Sequence, residues 1–362
     1  MKNNPRLDIY LDKIVHNTIR VVRQCTEKNI ELVGVAKGCS ADEKVVRAMI
    51  EGGIKIFGDS RIENIIHLRR AGIQTRMMLI RIPMQSEIRK MLKYADISLN
   101  SELLTIERIS NIAQEMHLEH KIILMVDLGD LREGIMPDEL IKTVKRINEL
   151  PNVKLLGIGA NFCCVSGIMP TENNLNQLVL LAKSVEDELK IPLKIISGGN
   201  TSVLKLIEEN KIPHSINQLR IGVGILLGQD DTRLRNLEGM YQDAFILTAE
   251  IIELKVKPSV PTGIIGRDAF GQVPVFKDMG FRRRAILAVG KQDIHLSSLI
   301  PIKKEIKIIA ASSDHLIVDI TDLEEDMNVG SEIQFKLNYP ALLAATTSKY
   351  VSKYYHQKEI KP

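Results

Sequence analysis

A lysine closes the first strongly apolar run of the chain, Leu32-Val33-Gly34-Val35-Ala36-Lys37. An amine at such a point either reaches past the apolar surface to solvent or does chemistry there. Arg132 follows the apolar run that ends at Val126, and Asn161 follows the run that ends at Gly159. Further on, Ser197-Gly198-Gly199-Asn200-Thr201-Ser202 opens a helical stretch and Arg220-Ile221-Gly222-Val223-Gly224 closes an apolar run. Both segments have the composition of phosphate-binding loops: glycines let backbone N–H groups approach an oxyanion, and Thr201 or Ser202 adds a hydroxyl donor. For either loop alone, a tight turn with Asn200 or Thr201 capping the next helix is the simpler reading. The two together, with a lysine at a strand end, point to pyridoxal 5′-phosphate (PLP), its phosphate in the loops and its aldehyde end on Lys37. Arg220 then has a role. Beside the pyridine nitrogen it disfavours protonation there, weakens the electron sink and favours racemisation over transamination. A sugar phosphate in the same loops, with Lys37 as an imine-forming or acid/base lysine, is the competing reading.

These residues require elements that bring strand ends together. Eight short apolar runs occur at Leu32–Ala36, Ile54–Gly58, Met77–Ile82, Ile97–Leu99, Ile122–Val126, Val153–Gly159, Lys194–Ser197 and Gln218–Gly222, with helical periodicity between them. Eight strand–helix cycles in roughly 220 residues is the count of a (β/α)8 barrel, whose active site lies at the C-terminal ends of the strands. A doubly wound sheet is disfavoured because no GxGxxG follows the first strand. A helix over Lys13–Cys25 precedes that strand, Ser40 and Glu43 suggest a capping box, and Thr171 starts a further helix. After about Met240 the pattern turns to strands, at Phe245–Leu254, Val273–Phe276, Arg284–Val289, Ile306–Ala310, His315–Ile320 and Glu332–Leu337, with a polar tail from Lys353. The expected architecture is α/β: a (β/α)8 TIM-type barrel over residues 1–239, followed by a mostly β C-terminal domain over 240–362.

Composition sets the outer limits. Of 362 residues, 44% are hydrophobic and 26% charged, enough to build a sizeable core. The net charge of +4 is dispersed and gives no case for a nucleic-acid partner; the one tight basic run is Arg282-Arg283-Arg284. No apolar stretch is long enough for a bilayer span, and the first residues are polar, so neither a membrane nor a secreted precursor is expected. Cys25, Cys39, Cys163 and Cys164 form no disulfide framework and no CxxC zinc pattern, which fits a reducing cytoplasm. His117 and His120 are expected at a solvated helix end.

In the segments Gly34–Lys37, Asp59–Asn64, Asp96–Glu102, Met125–Ile135, Gly198–Ser202, Gln218–Gly228, Gly290–Asp293 and Asn338-Tyr339, the chain resembles the alanine racemase superfamily, fold type III PLP enzymes. It is nearest the alanine/ornithine racemase-like branch, over almost its whole length. The resemblance implies that Lys37 carries PLP and exchanges protons on one face of the substrate. It implies that Arg132 reaches the cofactor phenolate or substrate carboxylate, and that Asn161 stands where alanine racemases have a histidine beside the ring. Asn200, Thr201, Ser202 and Gly222 occupy the phosphate cradle, Arg220 the pyridine-nitrogen position and Tyr339 that of a tyrosine bonded to phosphate. It further implies a homodimer with shared active sites.

Two positions depart from the family pattern. Lys291, in Gly290-Lys291-Gln292-Asp293, stands at the position of the family's second-face tyrosine, and Met125 replaces a lysine that is often carbamylated. Lys291 is therefore the expected second acid/base, against the plainer reading of an ion pair with Asp293, and another group, including a cysteine such as Cys163, is the alternative. Nearby Arg282, Arg283, Arg284 and Arg267 are the cations expected to lower its pKa. Asp293 and Asp314 are expected to receive a cationic substrate side chain, so the expected activity is racemisation of a basic amino acid such as ornithine. A non-catalytic PLP carrier and a decarboxylase or aldolase on the same fold are the alternatives.

Overall fold

Parallel strands buried on both faces require crossover helices, and the chain supplies the two in alternation. The computed structural model describes residues 3–357. After β1 (Arg6–Tyr10) and α1 (Leu11–Thr26) come β2 (Glu31–Val35), α2 (Glu43–Glu51), β3 (Ile56–Asp59), α3 (Ile62–Arg70), β4 (Arg76–Leu79) and α4 (Ile88–Tyr94). They are followed by β5 (Ile97–Asn100), α5 (Leu103–Glu115), β6 (His120–Met125), α6 (Leu140–Asn148), β7 (Val153–Gly159) and α7 (Glu172–Leu189). Then come β8 (Ile195–Ser197), α8 (Leu204–Glu208), β9 (Gln218–Ile221) and α9 (Val223–Leu227). Strands β2 to β9 form a closed parallel barrel, sealed where β9 pairs with β2 through Leu32↔Leu219 and Val33↔Arg220. Each expected apolar run holds one of these strands.

The barrel interior is filled by Val33, Ile56, Met78, Ile97, Leu99, Ile123 and Met125. Each such side chain stabilises by about 1.5–3 kcal/mol on burial, which is what fixes the strand ends above it. Met125 thus belongs to the packed core. Two local expectations are corrected. Helix α2 is capped by Asp42, which accepts from the N–H groups of Lys44 (3.2 Å) and Val45 (3.3 Å), while Ser40 adopts a left-handed conformation in the turn before it. His120 is not at a solvated helix end: it begins β6, is buried, and its Nε2 lies 2.9 Å from Ser98 Oγ. Thr171 caps α7 as expected, in a capping box with Asn174.

A short hairpin of β10 (Gln229–Asp230) and β11 (Arg235–Asn236) ends this unit, which comprises Asp12–Tyr241. The second unit combines Met1–Leu11 with Gln242–Pro362, so the chain's first strand belongs with its last third and not, as expected, with the barrel. Its sheet contains β12 (Phe245–Pro258), β13 (Phe281–Leu287), β14 (Leu299–Pro301), β15 (Lys307–Ala311), β16 (Leu316–Asp319) and β17 (Glu332–Leu337). The order is β14-β17-β12-β13-β16-β15, with β1 antiparallel to β12 and parallel to β18 (Ser352–His356). Helix α10 (Tyr339–Thr347) lies between β17 and β18. The 14-residue β12 pairs with β1 and β17 in its first half and with β13 in its second, with a bulge between Ile251 and Glu253.

Three further expectations for this unit change. Val273–Phe276 is not a strand: its alternation finds no partner, and Val275 is 95% exposed. The polar tail from Lys353 begins inside β18, and its residues 358–362 lie outside the described residues. The basic run on β13 is held internally, Arg282 by Asp319 (2.7 Å), Arg283 by Asp326 (3.3 Å) and Arg284 by the Ser259 carbonyl (3.1 Å). Among the described residues, no helix is long and apolar enough to cross a membrane.

Candidate active site

Lys37 stands where β2 gives way to a single 3-10 turn, Lys37–Cys39, closed by Ser40 in the left-handed region. Strand direction places it at the C-terminal end of the barrel, where the loops after the strands converge. Burial lowers its pKa, and the charged or ionisable groups around it are Cys164, Arg132, Asp59 and Glu133.

The loop after β6 is a tight excursion. The N–H of Asp127 donates to the Ile135 carbonyl and that of Ile135 to the Met125 carbonyl, both at 2.9 Å, while Asp127 Oδ1 accepts from Gly129 (2.8 Å) and Leu131 (3.2 Å). Gly134 closes it with φ +136°; a Cβ there would lie 2.4 Å from the Asp127 nitrogen. This closure presents Arg132 and Glu133 side by side, with Arg132 Nη2 2.6 Å from Glu133 Oε1 and Arg132 Nε bonded to Oε2.

From β9 and the loop after β7 come Arg220 and Asn161. Arg220 is buried, 4% exposed, and its Nη2 donates to Asn161 Oδ1 and the Ala160 carbonyl, each at 2.7 Å, while Nη1 donates to Ser197 Oγ. Burial lowers its pKa to about 10, and the charge of Glu133 acts most strongly in the other direction. Asn161 Nδ2 in turn donates to Glu133 Oε1 at 2.5 Å.

The two Gly-containing loops meet at a hydrogen bond from the Gly224 N–H to Thr201 Oγ1 (3.3 Å). Gly222 lies close under β2: a Cβ would come 3.1 Å from the Val35 carbonyl oxygen. Asn200 Oδ1 accepts from Ser202 N (3.0 Å) and Ser202 Oγ (2.8 Å), so the capping reading holds for it, and its Nδ2 donates to the Phe162 carbonyl (2.8 Å). The cysteine pair sits opposite this loop. The Cys163 thiol turns to the Ile168 carbonyl (3.2 Å), whereas the Cys164 N–H donates to Asp130 and its Sγ lies 3.7 Å from Asn200 Nδ2.

Lys37, Arg132, Asn161, Asn200, Thr201, Ser202, Arg220 and Gly222 therefore share one end of the barrel. Lys291, Asp293, Asp314 and Tyr339 belong to the β unit. There Lys291 rests on the Phe270 ring, 3.6 Å from its centroid. Asp293 is buried with Oδ1 on Ser348 Oγ (2.6 Å), exposed Asp314 accepts from Gln292 Nε2 (2.6 Å), and Tyr339 opens α10. Sequence reasoning gave no role to Glu133 or Asp59, although both lie in segments that carry the family resemblance. Asp59 ends β3 with Oδ1 bonded to the Arg61 N–H (2.9 Å) and Asn64 (3.0 Å) and with Oδ2 buried and unpartnered.

The residues fit PLP. A half-buried amine with a lowered pKa is more often neutral, as condensation with an aldehyde requires. The joined glycine loops suit a phosphate, and a buried guanidinium held only by neutral oxygens suits a neutral ring nitrogen as a further acceptor.

The family model described as alanine racemase, N-terminal domain, matches residues 9–230. Ornithine racemase from Acetoanaerobium sticklandii is 41% identical over 350 residues, covering 96% of this chain and 99% of that protein. Lysine racemase from Thermotoga maritima is 40% identical over 351 residues, covering 97% and 98%. Among solved structures, alanine racemase from Bartonella henselae with covalently bound pyridoxal phosphate superposes with a TM-score of 0.72 at 16% identity, over 97% of this chain and 99% of that one. With its barrel, its strand-end lysine and a family match over well more than half its length, the chain belongs to the alanine racemase family.

Proposed function

We propose that this chain is a PLP-dependent racemase of basic amino acids, with ornithine or lysine as substrate. The observation that carries this reading is the half-buried Lys37 among Arg132, Glu133 and Arg220, in a chain about 40% identical to an ornithine and a lysine racemase over nearly full length. Bound PLP supplies a carbonyl for the substrate's amino group and an electron sink that acidifies its Cα–H. Thr201, Ser202, Asn200, Gly222 and Tyr339 hold the phosphate. Lys37 Nζ takes and returns the Cα proton on one face. Arg220 keeps the ring nitrogen unprotonated, so the proton returns to Cα, while Asn161 orients Arg220 and Arg132 binds the substrate carboxylate.

On the other face Lys291 Nζ is the second acid/base. Its ammonium is not spent on Asp293, whose carboxylate is turned to Ser348. Of the two aspartates, exposed Asp314 is the better suited to a substrate ammonium group, because Asp293 is buried. The working form is a homodimer with shared sites, in the cytoplasm. The test is solvent exchange. In D2O, L-ornithine or L-lysine should gain α-deuterium and invert, neutral amino acids should exchange far more slowly, and Lys37→Ala should do neither. Release of CO2 or cleavage of the Cα–Cβ bond in place of inversion would overturn the reading in favour of a decarboxylase or aldolase.

A further inference from the structure

We infer that Glu133 is a positioning residue: a single carboxylate that fixes both active-site arginines, Arg132 directly and Arg220 through Asn161. The inference rests on the functional reading above and deepens it. Glu133 Oε1 accepts from Arg132 Nη2 (2.6 Å) and Asn161 Nδ2 (2.5 Å), and Asn161 Oδ1 accepts from Arg220 Nη2 (2.7 Å). Glu133 is itself mostly buried, with its side chain 16% exposed.

The chemistry follows from the bond pattern. Arg220 has no carboxylate in direct contact among its bonds; its acceptors are Ser197 Oγ, the Ala160 carbonyl and the Asn161 amide oxygen. A buried cation held only by neutral groups is costly unless a counter-charge acts on it nearby. The Asn161 amide is pinned with its oxygen on Arg220 and its N–H on Glu133, so its dipole carries the carboxylate's influence to the guanidinium. An asparagine has one protonation state, and this link therefore does not titrate, as a histidine in its place would. At the same time the Nε and Nη2 edge of Arg132 is occupied by Glu133, which leaves Nη1 to face a ligand carboxylate.

Removal of the charge has a defined consequence. Without Glu133 the Arg220 guanidinium becomes more acidic, donates more strongly to the ring nitrogen and makes the cofactor a better electron sink. Arg132 also loses its fixed orientation. The variant is Glu133→Gln, which keeps the shape and both acceptor contacts of one oxygen. Three readouts apply to the holoenzyme: the share of turnovers that convert the cofactor to its amine form, KM for L-ornithine, and the pH midpoint of the resting lysine-bound chromophore without substrate.

The expected result is at least about a tenfold rise in the amine-forming share and a similar rise in KM, the size of a lost charge-assisted bond. The resting midpoint should fall, because the cation at Lys37, which also faces Cys164, Arg132 and Asp59, loses one nearby negative charge. Glu133→Asp should recover part of each effect. Asn161→Leu, which cuts only the path to Arg220, should raise the amine-forming share with little change in KM, and it decides the case if Glu133→Gln does not fold. A folded Glu133→Gln enzyme that matches wild type in all three readouts overturns the inference while leaving the racemase reading intact. A wild-type protein that binds no PLP overturns the functional reading first, and this inference with it.

Discussion

Asp59 ends β3 with one carboxylate oxygen bonded to Arg61 and Asn64 and the other buried without a partner. Burial raises its pKa to about 6 despite those hydrogen bonds. A carboxyl whose folded pKa lies above its unfolded value of about 3.9 favours the fold most below that value, and the contribution is lost as pH rises through 6. Asp59→Asn keeps the oxygen that accepts from Arg61 and removes the ionisation. Relative to wild type it should therefore gain up to about 3 kcal/mol of stability between pH 4 and pH 7.5, measured by urea unfolding at each pH. A stability difference independent of pH across that window would show that Asp59 ionises in the fold at no cost. Strand-end residues were the legible part of the site, because an apolar run followed by Lys37, Arg132 or Arg220 states where each stands in a barrel whatever the partners are. What could not be read is who bonds to whom: Glu133 and Asn161 lie 28 positions apart and meet only once the loops after β6 and β7 fold together. Asp59 shows the same limit, since its partner Asn64 comes from α3.

At the scale of elements, hydropathy alone exposed all eight barrel strands, because a parallel strand covered on both sides must be continuously apolar. It failed where a strand is half covered or carries buried charge. In β1 the buried Arg6 and Asp8 pair with each other (2.9 Å), Arg6 also with Glu332, and Asp8 with His356 (2.7 Å), so the strand reads as polar although it lies at the centre of β12 and β18. Spacing between strands is equally invisible in a sequence. At the bulge in β7, opposite Ile122 and Ile123, Gly157 faces Ile195 so closely that a Cβ would lie 1.8 Å from the Ile195 carbonyl oxygen. Gly157→Ala must push β7 and β8 apart, at a cost of about 3 kcal/mol or more. Those two strands lead to Asn161 and Ser197, both bonded to Arg220. The variant should melt lower and, in the fraction that remains folded, convert cofactor to its amine form more often. If Gly157→Ala melted like wild type, the close contact between the strands would be refuted.

Over the whole molecule, the chain order of the units conceals their membership. Residues 1–11 cross to the unit built from 242–362, so a cut at 239/240 yields a barrel that carries a strand of the other unit. No composition signal marks this, because the five residues of β1 are too few to show a preference for one sheet over another. The assignment of Lys37 to the barrel and Lys291 to the β unit gives the proposed homodimer a decisive test. If each site takes Lys37 from one subunit and Lys291 from its partner, Lys37→Ala and Lys291→Ala proteins are each inactive in inversion. A hybrid dimer of the two nevertheless holds one site with both lysines and one with neither. Random reassociation makes half of all dimers hybrids with half their sites intact, so the equimolar mixture should recover about a quarter of wild-type racemase activity. Before mixing, Lys291→Ala should still exchange the α-proton of one enantiomer through Lys37, and Lys37→Ala should exchange neither. If both lysines instead serve one site within a single subunit, the mixture recovers nothing. Should Lys291→Ala racemise ornithine at the wild-type rate by itself, Lys291 is not the second acid/base. Cys164 then becomes the next group to replace, since its thiol lies within the electrostatic reach of Arg132 and Lys37 at the barrel mouth.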